Sequence, residues 1–567
     1  MARTFPKNGY DPLTVEWNDS LAGDFLWSNV NVSEAVPDVM TPSTWSLWWI
    51  HHYEANPIQF PGNYRFCGNI CGRPYLNLSL IVSLYSAVGK DIRQELQGDM
   101  IGSAPANLDV PRIPFSPLRV LWTALPGLIK AQQSVSRDRR RIPEFVAATP
   151  GWCRTQGARI QACEDRSALL TMWCATIKPY FFRTCEVLRG AALLFSDAAT
   201  RLRLDLIKLA GEAEANTILS NLSGAGVKEG PATDMESLGP LVGLAQVRRG
   251  TLSRAAYMER YGHRGPHEME LSAPGAEEDP NWLDLRLAES NQSKADVGGL
   301  LAKQRAEYVA AWARFGAGHP QKAEAYRRQV EKVSVAARNR EAVRSEVTRV
   351  TRLVRRYLLR AGELADIGEE IFFLSLDEVA EILSGIETPK KYIAARRKAF
   401  QRYTALPPYP AIIIGRFDPF RWAADPNRRS DYFDSRFSIQ PATPATLSGF
   451  AGAAGRVKGI VRCIDRPEDG YLLQPGEILV TITTNVGWTP IFPRAAAIIT
   501  DVGAPLSHAA IVARELGIPA VVGCGNATMR LHTGDCVWVD GSRGVVEIQT
   551  DPKTLDRKAI VEPEVKL

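Results

Sequence analysis

The chain has 567 residues, 45% of them hydrophobic and 23% charged, with a formal net charge of +6. That length predicts more than one domain, at roughly 100–200 residues each. The composition excludes a disordered or fibrous chain, and no apolar run approaches the ~18–20 residues of a membrane-spanning helix.

The N-terminal "MARTFPKNGYDPLTVEW" lacks the basic-then-apolar order of a signal peptide. Nine cysteines suit reduced thiols, so a cytoplasmic location without a membrane partner is expected. Cys67 and Cys71 form a close pair in "FCGNIC". No matching CxxC or HxxxH supplies the other ligands of a zinc site, and no metal is assigned to the chain.

Residues 1–404 read as mainly helical. Apolar positions recur every three to four residues in "RSALLTMWCATIKPYFFRTCEVLRGAALLF" and "KQRAEYVAAWARF". The segment Arg338 to Arg360, "RNREAVRSEVTRVTRLVRRYLLR", interleaves basic, acidic and apolar residues at helical spacing and reads as a solvated helix face. Nucleic acid is not an expected partner, since a denser one-sided basic patch with interleaved aromatics would be needed. "STWSLWWIHHYE" (Ser43 to Glu54) reads as core, with an aromatic wall for a flat acceptor as the sharper alternative. Residues 405–448 are rich in proline and read as a linker carrying one short strand.

Residues 449–550 read as compact α/β. "GEILVTITT", "AAAIITD" and "IPAVVG" are strand-like, "DCVWVDGSRGVVEI" is a hairpin, and one helix is expected near Leu506 to Leu516. Residues 551–567 form a charged tail. His508, in "TDVGAPLSHAAIVARELGIPAVVG", falls where a loop becomes a helix. A helix N-terminus presents unpaired N–H groups to an anion. A neutral imidazole there is a nucleophile toward phosphorus. Gly503 permits close backbone approach to a phosphate. Thr500, Asp501 and Ser507 are candidates to orient the ring or the phosphoryl group.

These blocks, in the order "GFAGAAGRVKG", "PGEILV", "WTPIF", the His508 stretch and "GDCVWVDGSRGVV", resemble the swivelling phosphohistidine domain of the PEP-utilising enzyme family. One departure is Gly503-Ala504, where that family commonly has Gly-Gly. The resemblance implies a covalent phosphohistidine at His508. It also implies that the domain carries the group between an ATP site and an acceptor site. Residues 1–404 resemble the acceptor-binding domain of rifampin phosphotransferases and of the phenylphosphate synthase large subunit, through "WSNVNVSEAVPDVMTPSTWSL", "GRPYLNLS", "YGHRGPHEMELSAP" and "GEEIFFLSLDEV". The expected fold is thus a large, mainly α-helical acceptor-binding domain followed by an α/β phosphohistidine domain.

No ATP-grasp or P-loop pattern is found, so ATP and Mg²⁺ are expected on a partner ATP-grasp subunit. In "YGHRGPHEMEL" the resemblance implies that Arg264 braces the transferred phosphoryl group. Glu268, His263 or His267 is the candidate base. His267 stands where the rifampin enzymes have glycine. The alternative for Arg264 is a loop-fixing salt bridge to Glu268 or Glu270, and a structural role is favoured for Glu270. Arg73 and Asn77 are candidate pocket residues, or a turn and its packing. Glu34 is read as capping or orienting a helix start. The expected acceptor is a small phenol, with phenylphosphate as the type product. An antibiotic or other hydroxylated natural product, or a carboxylate, is the alternative within enzymes. A non-catalytic phosphohistidine carrier and a binding-only protein are the alternatives outside them.

Overall fold

A computed structural model describes residues 10–11, 16–30, 32–62, 64–96, 100–101, 108–220, 238–292, 297–436 and 446–549. The tail expected at 551–567 lies outside these residues.

The N-terminal region opens on short elements. They are β1 (Leu26–Ser28), α1 (Pro42–Trp49), β2 (Cys67–Ile70), β3 (Arg73–Asn77) and α2 (Leu78–Ala87). Long helices follow: α3 (Pro117–Gln161), α4 (Lys178–Ala210) and, after several shorter helices, α5 (Pro320–Leu364). Helix α5 packs along both α3 and α4. Its Val350, Leu353, Val354 and Leu358 are buried in the largest apolar cluster, with Trp173, Ile177 and Phe181. Half of the segment read as a solvated face is therefore core. The arginines follow that geometry, because a helix surrounded by other helices has few positions facing water.

Arg355 is the extreme case. Its side chain is 1% exposed, yet Nε and Nη2 both donate to Glu278 at 2.7 Å, and Nη1 donates to the Leu271 carbonyl at 2.7 Å. Removing Arg355 leaves the Leu271 carbonyl and the one-third-exposed Glu278 carboxylate without their donors. Arg355→Met is expected to lower the stability of the helical region by about 1–2 kcal/mol, read as a reduced urea midpoint.

The stretch read as a linker is built into the fold. β4 (Ile412–Ile414) and β5 (Tyr432–Asp434) complete a five-stranded sheet of order β2-β3-β1-β4-β5, in which only the β4-β5 pair is parallel. Three consecutive isoleucines, all buried, make β4 an interior strand of that sheet rather than part of a linker. Residues 437–445 of the expected linker lie outside the described residues.

The α/β region holds β6 (Thr446–Ser448), β7 (Phe450–Ala453), β8 (Arg456–Cys463), β9 (Ile478–Thr481), β10 (Ala497–Thr500), α6 (His508–Leu516), β11 (Ala520–Val522), β12 (Cys536–Asp540) and β13 (Val545–Gln549). The sheet order is β6-β13-β12-β8-β9-β10-β11-β7, and β8 to β11 run parallel. The expected hairpin is β12-β13. α6 lies against β7 and β11. It buries Ala509, Ala510, Val512, Ala513 and Leu516, and ends at Gly517 in the left-handed conformation, as a helix C-terminus favours. No described helix is long and apolar enough to cross a membrane.

The two regions are docked. Asn485 donates to the Pro266 carbonyl at 2.7 Å, and Asn216 donates to the Ala451 carbonyl at 3.2 Å. Gly487 abuts Pro266 so closely that a Cβ there would stand 2.6 Å from the proline Cβ. Leu506, just before α6, packs into the helical cluster of Phe195, Leu219 and Trp312.

Candidate active site

His508 is the first residue of α6, with Ser507 as its N-cap. Both ring nitrogens face hydroxyls: Thr484 Oγ1 lies 3.0 Å from Nδ1, and Thr489 Oγ1 lies 3.2 Å from Nε2. Phe492 meets the ring edge-on at 5.9 Å. Burial, reinforced by the positive charges of Arg344 and Arg264 and opposed by Glu341, pushes the imidazole down to about 3. The ring is therefore neutral, with a lone pair available, across the ordinary pH range.

The helical region encloses this ring with charge. The backbone N–H of His508, one of the unpaired donors of a helix start, donates to Glu34 Oε2 at 3.1 Å. Glu34 thus caps a helix, but one 474 residues away on the other side of the interface. Burial raises its carboxyl to about 7, against the pull of the His508 N–H, Arg344 and Arg340. Burial would also raise Glu341, but Arg340 and Arg344 draw it down to about 2. Arg340 donates to Glu341 at 2.7 Å and lies over the Phe195 ring. The Arg344 guanidinium makes no hydrogen bond or ion pair with any described residue, although Glu34, Glu341 and His508 all feel its charge.

The site is therefore a neutral imidazole at a helix N-terminus, a carboxyl that titrates near neutrality, and an uncommitted guanidinium. Such a set can hold a phosphoryl dianion and take a proton from an incoming hydroxyl.

Residues 473–544 match the family described as PEP-utilising enzyme, mobile domain. The α/β region carries that mobile domain. An uncharacterized protein of Mycobacterium tuberculosis is 33% identical to the chain over 299 residues, which cover 51% of this chain and 30% of that protein. A rifampicin phosphotransferase of Streptomyces sviceus is 29% identical over 323 residues, covering 54% and 35%. The prodigiosin synthesizing transferase of Serratia marcescens is 30% identical over 320 residues, covering 52% and 33%. The chain thus spans about a third of the length of these relatives.

The remaining residues singled out in the sequence are distributed unevenly around the mobile domain. Gly503 sits in a tight place: a Cβ would stand 3.1 Å from Val522 Cβ and 3.2 Å from Thr500 Oγ1, so its neighbours would have to give way. Ser507 Oγ accepts from Ala510 N at 3.4 Å and is committed to the cap. Thr500 Oγ1 accepts from Gly523 N at 3.4 Å. Asp501 is buried and accepts from Ser430 Oγ at 2.6 Å, Thr528 N at 2.9 Å and the Thr528 hydroxyl. Asp501 and Thr500 therefore shape the loop, and Thr484 and Thr489 face the ring instead.

In the helical region Arg264 donates Nε to Glu268 at 2.8 Å, both side chains being buried, so the loop-fixing ion pair is present. Its charge still reaches His508. Glu268 also accepts from Gly265 N and is held by these donors, which removes it as a base. His263 is buried with Nε2 on Ser345 Oγ at 2.8 Å, and burial keeps it neutral inside the packing, away from an acceptor. Arg73 donates to the Pro37 carbonyl and lies over Tyr409, so it steadies the loop that carries Glu34. Asn77 caps α2 through Leu80 N at 2.9 Å. Glu270 accepts from Thr41 and Ser272, the structural role expected of it. The tryptophan segment is core: Trp45 packs edge-on against Trp17 at 5.5 Å, and Trp48 stacks on His52.

His267 is no base either. Its Nδ1 bonds Asp38 at 2.8 Å and its Nε2 meets Glu468 of the α/β region at 3.3 Å. Bonds to Asp38 and then Glu468 raise it to about 10, so it is an imidazolium bridging the two regions. A raised value means that the bridge is complete below the unperturbed ~6.5 and is lost as pH rises through about 10. Glu468→Gln is expected to reduce the docked population roughly two- to five-fold, the scale of a partly exposed pair. It should also flatten the pH dependence of docking between 9 and 11, read by interdomain energy transfer.

The sequence pointed to His508 but not to Arg340, Glu341, Arg344, Thr484 or Thr489. The available signal was the pair of arginines four apart, which a helix places on one face.

Proposed function

We propose that the chain is a phosphohistidine-relay phosphotransferase subunit. The observation that carries this reading is His508 at the start of α6, its backbone N–H bonded to the Glu34 carboxyl that titrates near 7, with the charge of the uncommitted Arg344 guanidinium reaching both. Among the described residues no three His, Cys, Asp or Glu side chains gather as a metal ion would need. In this proposal ATP and Mg²⁺ are bound by an ATP-grasp partner subunit. There the γ-phosphoryl group passes to water and the β-phosphoryl group to His508, leaving AMP.

In the docked state an acceptor hydroxyl attacks phosphorus in line. Its O–P bond forms as the N–P bond of phosphohistidine breaks. The hydroxyl proton passes to Glu34 and ends on the departing imidazole nitrogen, which restores neutral His508. Arg344, backed by Arg264 and Arg340, offsets charge on the transferring oxygens.

The acceptor seat in this reading is a cavity between α6 and the helical region, lined by Phe195, Leu219, Ala337, Leu506 and Ile511 together with Ser220 and the charged Arg340, Glu341, Arg514 and Glu515. Its lining suits a small aromatic body such as a phenol. The rifampicin phosphotransferase relatives support a hydroxylated natural product as the second choice.

The test supplies β-labelled ATP, Mg²⁺ and a candidate ATP-grasp subunit. Acid-labile, base-stable label on the chain, discharged by phenol or by rifampicin, is the expected result. Label that no hydroxyl compound discharges would instead make the chain a carrier.

A further inference from the structure

The first turns of α3 carry an apolar face that the described residues leave largely uncovered. Leu118 is 77% exposed and Trp122 85%, and Leu121, Leu125, Leu128 and Ile129 are 44–48% exposed. Their spacing places them on one side of the helix. The opposite side is fixed to the protein: Val120, Ala124 and Ala131 are buried, and Gly127 lies so close to Pro57 that a Cβ would stand 2.3 Å from its carbonyl oxygen. The exposed face is therefore held outward by packing.

From Leu118 to Ala131 the only polar residues are Arg119, Thr123 and Lys130. A helix that is apolar all round belongs in a protein core or in lipid, and a stretch of this length suits an interfacial segment better than a span. Six side chains exposing roughly 700 Å² exceed the patch that a monomer ordinarily leaves bare.

Charge selects the occupant. Residues 110–133 contain three basic side chains, Arg112, Arg119 and Lys130, and no acidic one. All three are exposed, and Arg119 and Lys130 stand at the two ends of the apolar face. Pairing with a second copy in antiparallel fashion would bring like charges together. A surface of anionic headgroups over acyl chains meets both features at once, with tryptophan at the depth where its amphipathic ring is favoured.

We propose that the first turns of α3 seat the protein on an anionic lipid surface, lying in the headgroup plane without crossing it. The expectation of no membrane partner rested on the absence of a spanning segment, and a surface-lying helix needs none.

The test is flotation of the full chain with vesicles of phosphatidylcholine containing 30% phosphatidylglycerol, and with phosphatidylcholine alone. Binding to the anionic vesicles is expected, weakened at least ten-fold by Trp122→Asp or Leu118→Asp and weakened by salt. Both side chains are mostly exposed, so the fold should survive, as checked by circular dichroism. Arg119→Gln with Lys130→Gln should lower binding to anionic vesicles only. No binding by the unmodified chain, or equal binding by the aspartate variants, would overturn the proposal. So would a dimer in sedimentation velocity that Trp122→Asp splits, which would assign the face to a second copy.

Discussion

His508→Gln is expected to lower phosphoryl transfer about 10⁶-fold, the scale on which loss of a nucleophile registers, while leaving the fold intact. Glutamine keeps the backbone N–H that donates to Glu34. It also keeps a polar side chain near Thr484 and Thr489, whose hydroxyls face the present ring. Ser507 and the buried face of α6 hold the helix independently of the imidazole. The variant should thus unfold at the same denaturant concentration as the parent and take no label from β-labelled ATP. A stable variant that still turns over acceptor would remove the histidine from the reaction. A variant that fails to fold would show that the ring is structural.

Glu34→Gln separates loading from delivery. The amide oxygen can still accept from His508 N–H, so the docked geometry is retained, but the proton acceptor is gone. Discharge of the phosphorylated chain to an acceptor is expected to fall by about 10²–10⁴-fold, the contribution of a positioned base. Loading should be unaffected. The pH dependence gives an independent reading. Burial raises the Glu34 carboxyl to about 7. A base acts only when deprotonated, so discharge by the parent should climb with pH through about 7 and then level off. In the glutamine variant that limb should be absent. A rise through 7 that survives the substitution would assign the base elsewhere.

The mobile domain was legible because its signals are local. A histidine after a Gly/Pro turn, followed by a short amphipathic helix and "IPAVVG", sets its own geometry within some twenty residues. The enclosing charges were not legible for the opposite reason. Arg340, Glu341 and Arg344 lie on a 45-residue helix whose basic and acidic residues recur on every face. Only the positions of the neighbouring helices and of the docked mobile domain decide which face meets His508. Glu34 could be read as a cap, but not as the cap of a helix in another region. Glu268 and His267 sat in the most suggestive motif, yet one is spent on Arg264 four residues earlier and the other on Asp38 and Glu468. One short strand could be read in 405–448, but not its place inside a sheet, because one neighbour of Ile412–Ile414, Leu26–Ser28, is nearly four hundred residues away.

The relay itself is tested most directly by discharging the loaded chain with no nucleotide present. The phosphorylated protein, freed of ATP and of any partner by gel filtration, is mixed with labelled phosphate on His508 and a phenolic or rifamycin hydroxyl in a single turnover. The account predicts that label leaves the protein and appears stoichiometrically in an acid-stable phosphate ester of the acceptor. Label that stays on the protein, or that leaves only as inorganic phosphate while ester still forms when ATP is restored, would contradict it.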